Sequence, residues 1–414
     1  MKKLCCLIAC ALLFVTCARG EKIHTRDDVR NAYFSINDWH EDTPYAENPV
    51  ITAPYAPGEI NAEALSDALD YLNFIRWLAY MDTPVSLSRI YNYQCQHGAV
   101  LLAANDRVSH DSPIAPGMDR NFYESAHNAT LSGNIAKFNW MRPSIIREGV
   151  EYFVRDDGDA NLPVLGHRRW ALNPLMGSTG FGLANSETGM SYVVMYAHDF
   201  GMPEAEWFHT LWPSPGAFPA DFMHADLAWS ITLNPEKYAL SESTPKITLT
   251  EAESGLSFRF DPMTGRNDGF CTFSFENYGS GPCLIFRPDF SGTDFTDYQQ
   301  NQRWTVRVDG LYDADGLPAP LEYEVDMISL FPQDPVNVEV SILEKTIPVG
   351  ETLQLSAKVI PGYADDLTIT WRSTDLSVAD VDENGLVSAL CAGKCDIIAS
   401  SVNGREDYCA LTIK

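Results

Sequence analysis

The sequence predicts a multidomain protein in which a mixed α/β region is followed by two all-β domains. Three observations support this. The chain has 414 residues, more than one hydrophobic core normally organises. Between residues 61 and 200 apolar side chains recur at three- and four-residue steps, the spacing of one helix face. After Phe200 they recur at every second residue, in short runs divided by Gly, Pro, Asn and Asp.

The elements follow in order. Lys2 and Lys3 precede the apolar run CLIACALLFV, and Ala18-Arg19-Gly20 offers small residues for cleavage, so residues 1–20 read as a signal peptide. Lipid attachment at Cys17 is the alternative, because Phe14-Val15-Thr16-Cys17 loosely resembles a lipobox. No later run approaches the roughly 20 apolar residues of a membrane helix, so no transmembrane segment is expected in the mature chain. Residues 21–60 carry Pro44, Pro49, Pro54 and Pro57 without a sustained period and read as an extended segment. Leu65, Ala68, Leu69, Leu72, Ile75 and Ala79 then line one face of a helix, with Asn61 as its N-cap. Further helices are expected over about 88–105 and 143–154, and a buried strand over 192–196. The alternating runs at 257–260, 284–286 and 304–308 predict a β-sandwich over 206–333, of a family the sequence does not name. Phe331-Pro332-Gln333-Asp334-Pro335 reads as a linker. From Val336 the alternation of Leu353, Leu355, Ala357 and Val359, with turns at Asn384-Gly385 and Asn403-Gly404, predicts a separate small sandwich over 336–414.

Charge and cysteines narrow the function. A net charge of −27 argues against a nucleic-acid partner, since phosphates require a basic surface. Four of the ten cysteines (Cys5, Cys6, Cys10 and Cys17) fall in the leader. Of the rest, Cys271 and Cys283 flank a hairpin loop and are expected to form a disulfide after export. Cys391 and Cys395 lack the second ligand pair of a zinc module.

Three stretches carry a family resemblance. Leu72-Asn73-Phe74-Ile75-Arg76, Arg107-Val108-Ser109-His110, and Gly166-His167-Arg168 with Asn173-Pro174 and Gly180-Phe181-Gly182 occur in the order of the CAP superfamily signatures. That superfamily includes the sperm-coating, antigen-5 and pathogenesis-related group 1 proteins. The resemblance implies an α-β-α sandwich over 61–202, with a cleft at His110, Asp156 and His167. Two positions depart from it: Gly133 stands where the family often has a glutamate, and Leu72 replaces the first-helix histidine. In the tail, Val349-Gly350-Glu351-Thr352-Leu353, Ile369-Thr370-Trp371 and Val378-Ala379-Asp380-Val381 resemble the bacterial immunoglobulin-like group 2 domains, found on exported surface proteins.

What the cleft could do follows from its residue types. Neutral His110 and His167 could ligate a divalent metal such as zinc, with Asp156 beside them, and activate water. In the stretch VLGHRRWALNP, His167 is expected in the cleft, Trp170 in the core, and Arg168 and Arg169 paired with the acidic run Asp156, Asp157 and Asp159. No Gly-x-Ser-x-Gly elbow occurs, and Asp157-Gly158-Asp159 starts a calcium-like loop whose sixth and twelfth positions, Leu162 and Arg168, do not fit. The expectation is an exported bacterial binding protein, secreted or at the cell surface, that is not catalytic. Its ligand is a small apolar molecule, a glycan or a protein, the last two including host-surface partners. A secreted metal-assisted hydrolase is the alternative.

Overall fold

The computed structural model describes residues 23–36, 43–81 and 83–414; the expected signal peptide and Cys17 lie outside these. The chain divides into two compact units. One runs through Tyr298 and resumes at Gln302–Met327, and the other comprises Gln299–Asn301 and Ile328–Lys414. The stretch 61–202 and all of 206–333 except Gln299–Asn301 and residues 328–333 thus share one unit.

Helix α1 (Arg26–Phe34) corrects the extended reading of 21–60. Thr25 and Asp28 form a reciprocal capping box, and Val29 is the helix's one buried residue, so no apolar period existed to read. Helices α2 (Ala62–Leu78) and α3 (Arg89–Asn105) start where expected, at the N-caps Asn61 and Ser88, whose side chains accept from backbone N–H groups in the first turn. Helices α4 (Arg120–Ser132), α5 (Ile145–Arg155) and α6 (Gly166–Ala171) follow. The strand Ser191–Tyr196 lies between Gly133–Phe138 and Phe181–Asn185, antiparallel to both. Alternation along a strand sends neighbours to opposite faces. Tyr192 and Val194 accordingly join Cys95, Ala99 and Leu102 of α3 and Ala126 and Ala129 of α4 in one apolar cluster. Val193 points the other way, and a Cβ on Gly149 of α5 would meet its Cγ1 at 2.7 Å. Helices therefore cover both faces of this sheet.

The rest of the first unit is a pair of packed sheets. One orders Gly269–Ser274, Cys283–Pro288, Trp229–Leu233 and His209–Trp212 side by side; the other has six strands with Lys246–Glu251 and Arg303–Asp309 at its centre. Trp229 meets Phe286 within its own sheet at 6.1 Å and Trp304 of the facing sheet at 6.3 Å, while Phe260 reaches Phe286 at 5.4 Å. These rings fill the interlayer with the large apolar area a sandwich core needs.

The expected Cys271–Cys283 disulfide is corrected here: both thiols are free. The hairpin itself is present, but its register pairs Cys271 with Phe286 and Cys283 with Ser274. Three positions of offset put the two sulfurs roughly 10 Å apart along the strands and on opposite faces.

In the second unit, Glu406–Ile413 and Gly393–Ser401 form the centre of a four-stranded sheet, and Thr352–Gln354, Leu386–Ala389 and Ala379–Val381 form a facing one. Leu355, Val387, Ile397, Cys409 and Leu411 fill the space between. No helix among the described residues is long and apolar enough to cross a membrane.

Candidate functional site

His110 and His167 line one cleft of about 360 Å³, together with Gly133, Asn134, Trp170, His198 and the Glu276–Tyr278 stretch of the β part. Each histidine arrives by a different local route. Helix α3 ends at Asp106 in the left-handed region, and the loop that follows carries His110 past the end of α4. There the His110 ring donates from Nδ1 to the Thr130 carbonyl at 2.7 Å, and the Thr130 hydroxyl donates back to the His110 carbonyl at 2.9 Å. This reciprocal pair fixes the tautomer, because a carbonyl only accepts.

His167 is the second residue of α6 and sits against Asp156, the left-handed C-cap of α5. Its Nδ1 donates to Asp156 Oδ1 at 3.0 Å. The same oxygen accepts from Asn161 Nδ2 at 2.9 Å, and Oδ2 accepts from the Arg168 backbone N–H at 3.2 Å. Asp156 is buried and orients the imidazole from behind. The His110 ring therefore turns Nδ1–H inward and leaves Nε2 as an acceptor; His167 does the same through the Asp156 carboxylate, with Asn161 Nδ2 a second neighbour of its Nδ1 at 3.0 Å.

His198, at the exit of the central strand, is a cleft residue the sequence reading did not single out. It packs on Trp170 with ring centroids 4.1 Å apart. Partial burial, and secondarily the charge of His110, lower its pKa below the usual imidazole value. Its only sequence signal is a lone polar residue directly after a buried apolar strand, Tyr192 to Ala197.

The arginines after His167 do not pair with the acidic run as expected. Arg168 is buried and its side chain donates to the carbonyls of Val154 (2.6 Å), Arg155 (2.8 Å) and Ala228 (2.6 Å). Burial pulls its pKa down to about 10, against the upward pull of Asp156. Arg169 donates to the Val164, Glu276 and Gly281 carbonyls. A short run of cations thus serves carbonyls that would otherwise be orphaned where the helical and β parts meet. The contrary expectation failed because sequence proximity to Asp157 and Asp159 says nothing of which carbonyls lie nearby in space.

Among the described residues no three His, Cys, Asp or Glu gather where they could hold a metal ion. Asp156 spends both oxygens on His167, Asn161 and Arg168, and Gly133 supplies no carboxylate. The backbone explains the glycine: a Cβ there would meet the Ala129 and Met195 carbonyl oxygens at 2.7 and 2.8 Å. A glutamate cannot enter without moving the sheet.

Comparison with known proteins bears on the tail. Residues 335–409 match the bacterial Ig-like domain (group 2). Domains of this group are typical of extracellular and surface proteins of bacteria. A 3-O-alpha-D-galactosyl-alpha-L-arabinofuranosidase of Bifidobacterium longum subsp. longum is 38% identical over 91 residues, 19% of this chain and 8% of that enzyme. A lacto-N-biosidase of Bifidobacterium bifidum is 39% identical over 64 residues, 16% of this chain and 6% of the enzyme. The chain thus spans a small fraction of these relatives' lengths. Among solved structures, tandem immunoglobulin domains of titin align with 45% of this chain and 89% of theirs or slightly less, at 13% identity and a TM-score of 0.23. The N-terminal part of the bacterial S-layer protein SbsC aligns with 88% of this chain and 81% of its own, at 11% identity and a TM-score of 0.18. Likenesses that weak support no fold assignment.

Proposed function

We propose that this is an exported bacterial CAP-domain protein that binds an extracellular ligand without catalysis and is displayed through its Ig-like domain. The observation that carries the reading is the convergence of His110 and His167, 57 residues apart in sequence, on one cleft with Asp156 behind the second ring. Helices on both faces of a three-stranded sheet are the layering the CAP resemblance implies. The Ig-like domain supports a surface or secreted location. Binding is favoured over hydrolysis because the cleft presents oriented hydrogen-bonding groups, while among the described residues no group of three His, Cys, Asp or Glu gathers as metal ligands.

Ligand-extraction mass spectrometry and metal analysis on the exported protein test this. The expected result is a bound organic ligand, depleted in His110→Ala, with no stoichiometric metal. Stoichiometric zinc that disappears in a His110→Gln/His167→Gln double variant would overturn it and put the metal-assisted hydrolase first.

A further inference from the structure

The wall of the cleft opposite α6 is the 275–282 loop of the β part, and it is clamped in place. The Arg169 guanidinium donates to the Glu276 and Gly281 carbonyls at 2.8 Å each and lies 5.7 Å from the centre of the Tyr278 ring. Gly279 sits at φ +61°, and a Cβ there would meet the Arg169 carbonyl oxygen at 2.5 Å. From the other side, a Cβ on Gly166 would lie 2.9 Å from the Tyr278 ring. Backbone meets backbone at Gly279, and the Tyr278 ring packs against Gly166, so the wall is pre-formed, as a binding site built on rigid elements requires.

The groups that face this space have a common character. His110 and His167 both spend their Nδ1–H on interior acceptors, which leaves Nε2 of each ring, in its neutral form, as an acceptor. Of the nearby carboxylates, Asp156 spends both oxygens on His167, Asn161 and the Arg168 N–H, while Glu276 is exposed at the rim. An apolar ligand would strand the two imidazole acceptors. A neutral ligand rich in O–H donors satisfies them. The volume, about 360 Å³, falls in the range of small-ligand clefts.

We propose that the 275–282 loop is the second wall of the binding site and that the site takes a neutral saccharide unit, whose hydroxyls donate to Nε2 of His110 and of His167. The proposal rests on the binding-protein reading above. It is tested by calorimetric titration of the full exported chain with short neutral oligosaccharides of hexose, pentose and N-acetylhexosamine units, and in parallel with spermine and dodecanoate. One of the saccharides is expected to bind, and His110→Ala and Asn277→Ala are each expected to weaken it about tenfold, the worth of one lost hydrogen bond or contact. Their melting curves should match wild type, since His110 and Asn277 are exposed. Saccharide binding that neither variant changes overturns the proposal. So does binding of spermine or dodecanoate alone, which leaves the binding-protein reading standing. No binding of any probe, with nothing extracted from the purified protein, overturns both.

Discussion

The Ig-like tail and the helical half of the first unit solve burial in opposite ways. Between residues 336 and 414, Ser401 is the one buried polar residue among those described, and the interior is Leu355, Val387, Ile397 and Leu411. In the helical half Asp67, Arg76, Gln96, Asn134, Asp156, Arg168, Arg169, Asn173 and Asp199 are all buried. An apolar interior needs only volume and alternation. A polar one is costly unless every group finds its partner, so it is specific but fragile. The cleft lies where the second kind of interior reaches the surface.

The sharpest break of this contrast is Arg168→Met. The methionine fills most of the space but leaves the Val154, Arg155 and Ala228 carbonyls without their donor. The expected loss is about 3–5 kcal/mol of first-unit stability, read from denaturant unfolding of the full chain. A loss within the error of an ordinary surface substitution would show that the arginine is not needed there.

In the tail, Ile397→Ala should cost about 2–4 kcal/mol, the usual penalty of a buried cavity. Only the second unit's transition should shift, because residues 336–414 carry their own core. Expressing that segment alone and observing a cooperative melt checks the same point. An equal shift in both transitions would mean the units unfold together.

A third outcome concerns pH. Burial lowers the His209 pKa to about 4, and its Nδ1 lies 3.0 Å from the Tyr238 hydroxyl. The unfolded imidazole takes a proton near pH 6.5, whereas the folded one does not until about pH 4. Folding is thus penalised progressively as pH falls from 6.5 to about 4, by on the order of 2–3 kcal/mol, and no further below that. His209→Gln should flatten this part of the stability curve. An unchanged slope would assign the acid sensitivity to other groups.

The same contrast explains what was legible beforehand. The tail could be read almost end to end because its alternation is its core: Leu353, Leu355, Ala357 and Val359 announce their faces directly. Asn61 likewise announced α2, since an N-cap is a local bond. Helix α1 stayed hidden because it buries a single residue, and the partners of Arg168 and Arg169 stayed hidden because those carbonyls are brought together only by the fold. His110, Asp156 and His167 were named through family resemblance; His198 offered only a lone polar residue after an apolar strand, and the 276–278 wall offered no pattern.

The smallest expected effect is that of a reductant. If Cys271 and Cys283 were bonded, closing that loop would contribute about 3 kcal/mol, and reduction would lower the first unit's melting temperature by several degrees. The register places them opposite Phe286 and Ser274 on different faces of the sheet, and Cys283 is fully buried. Bridging them would require a register slip that also turns Leu284 and Phe286 out of the core. Reductant should therefore leave the melting temperature unchanged. Thiol titration of denatured residues 21–414, carried out without reduction, should count Cys95, Cys271, Cys283, Cys391, Cys395 and Cys409 as free. Two missing thiols together with a reductant-sensitive melt of the first unit would show that oxidation selects a different hairpin register, and the cleft wall at 275–282 would then have to be rebuilt from it.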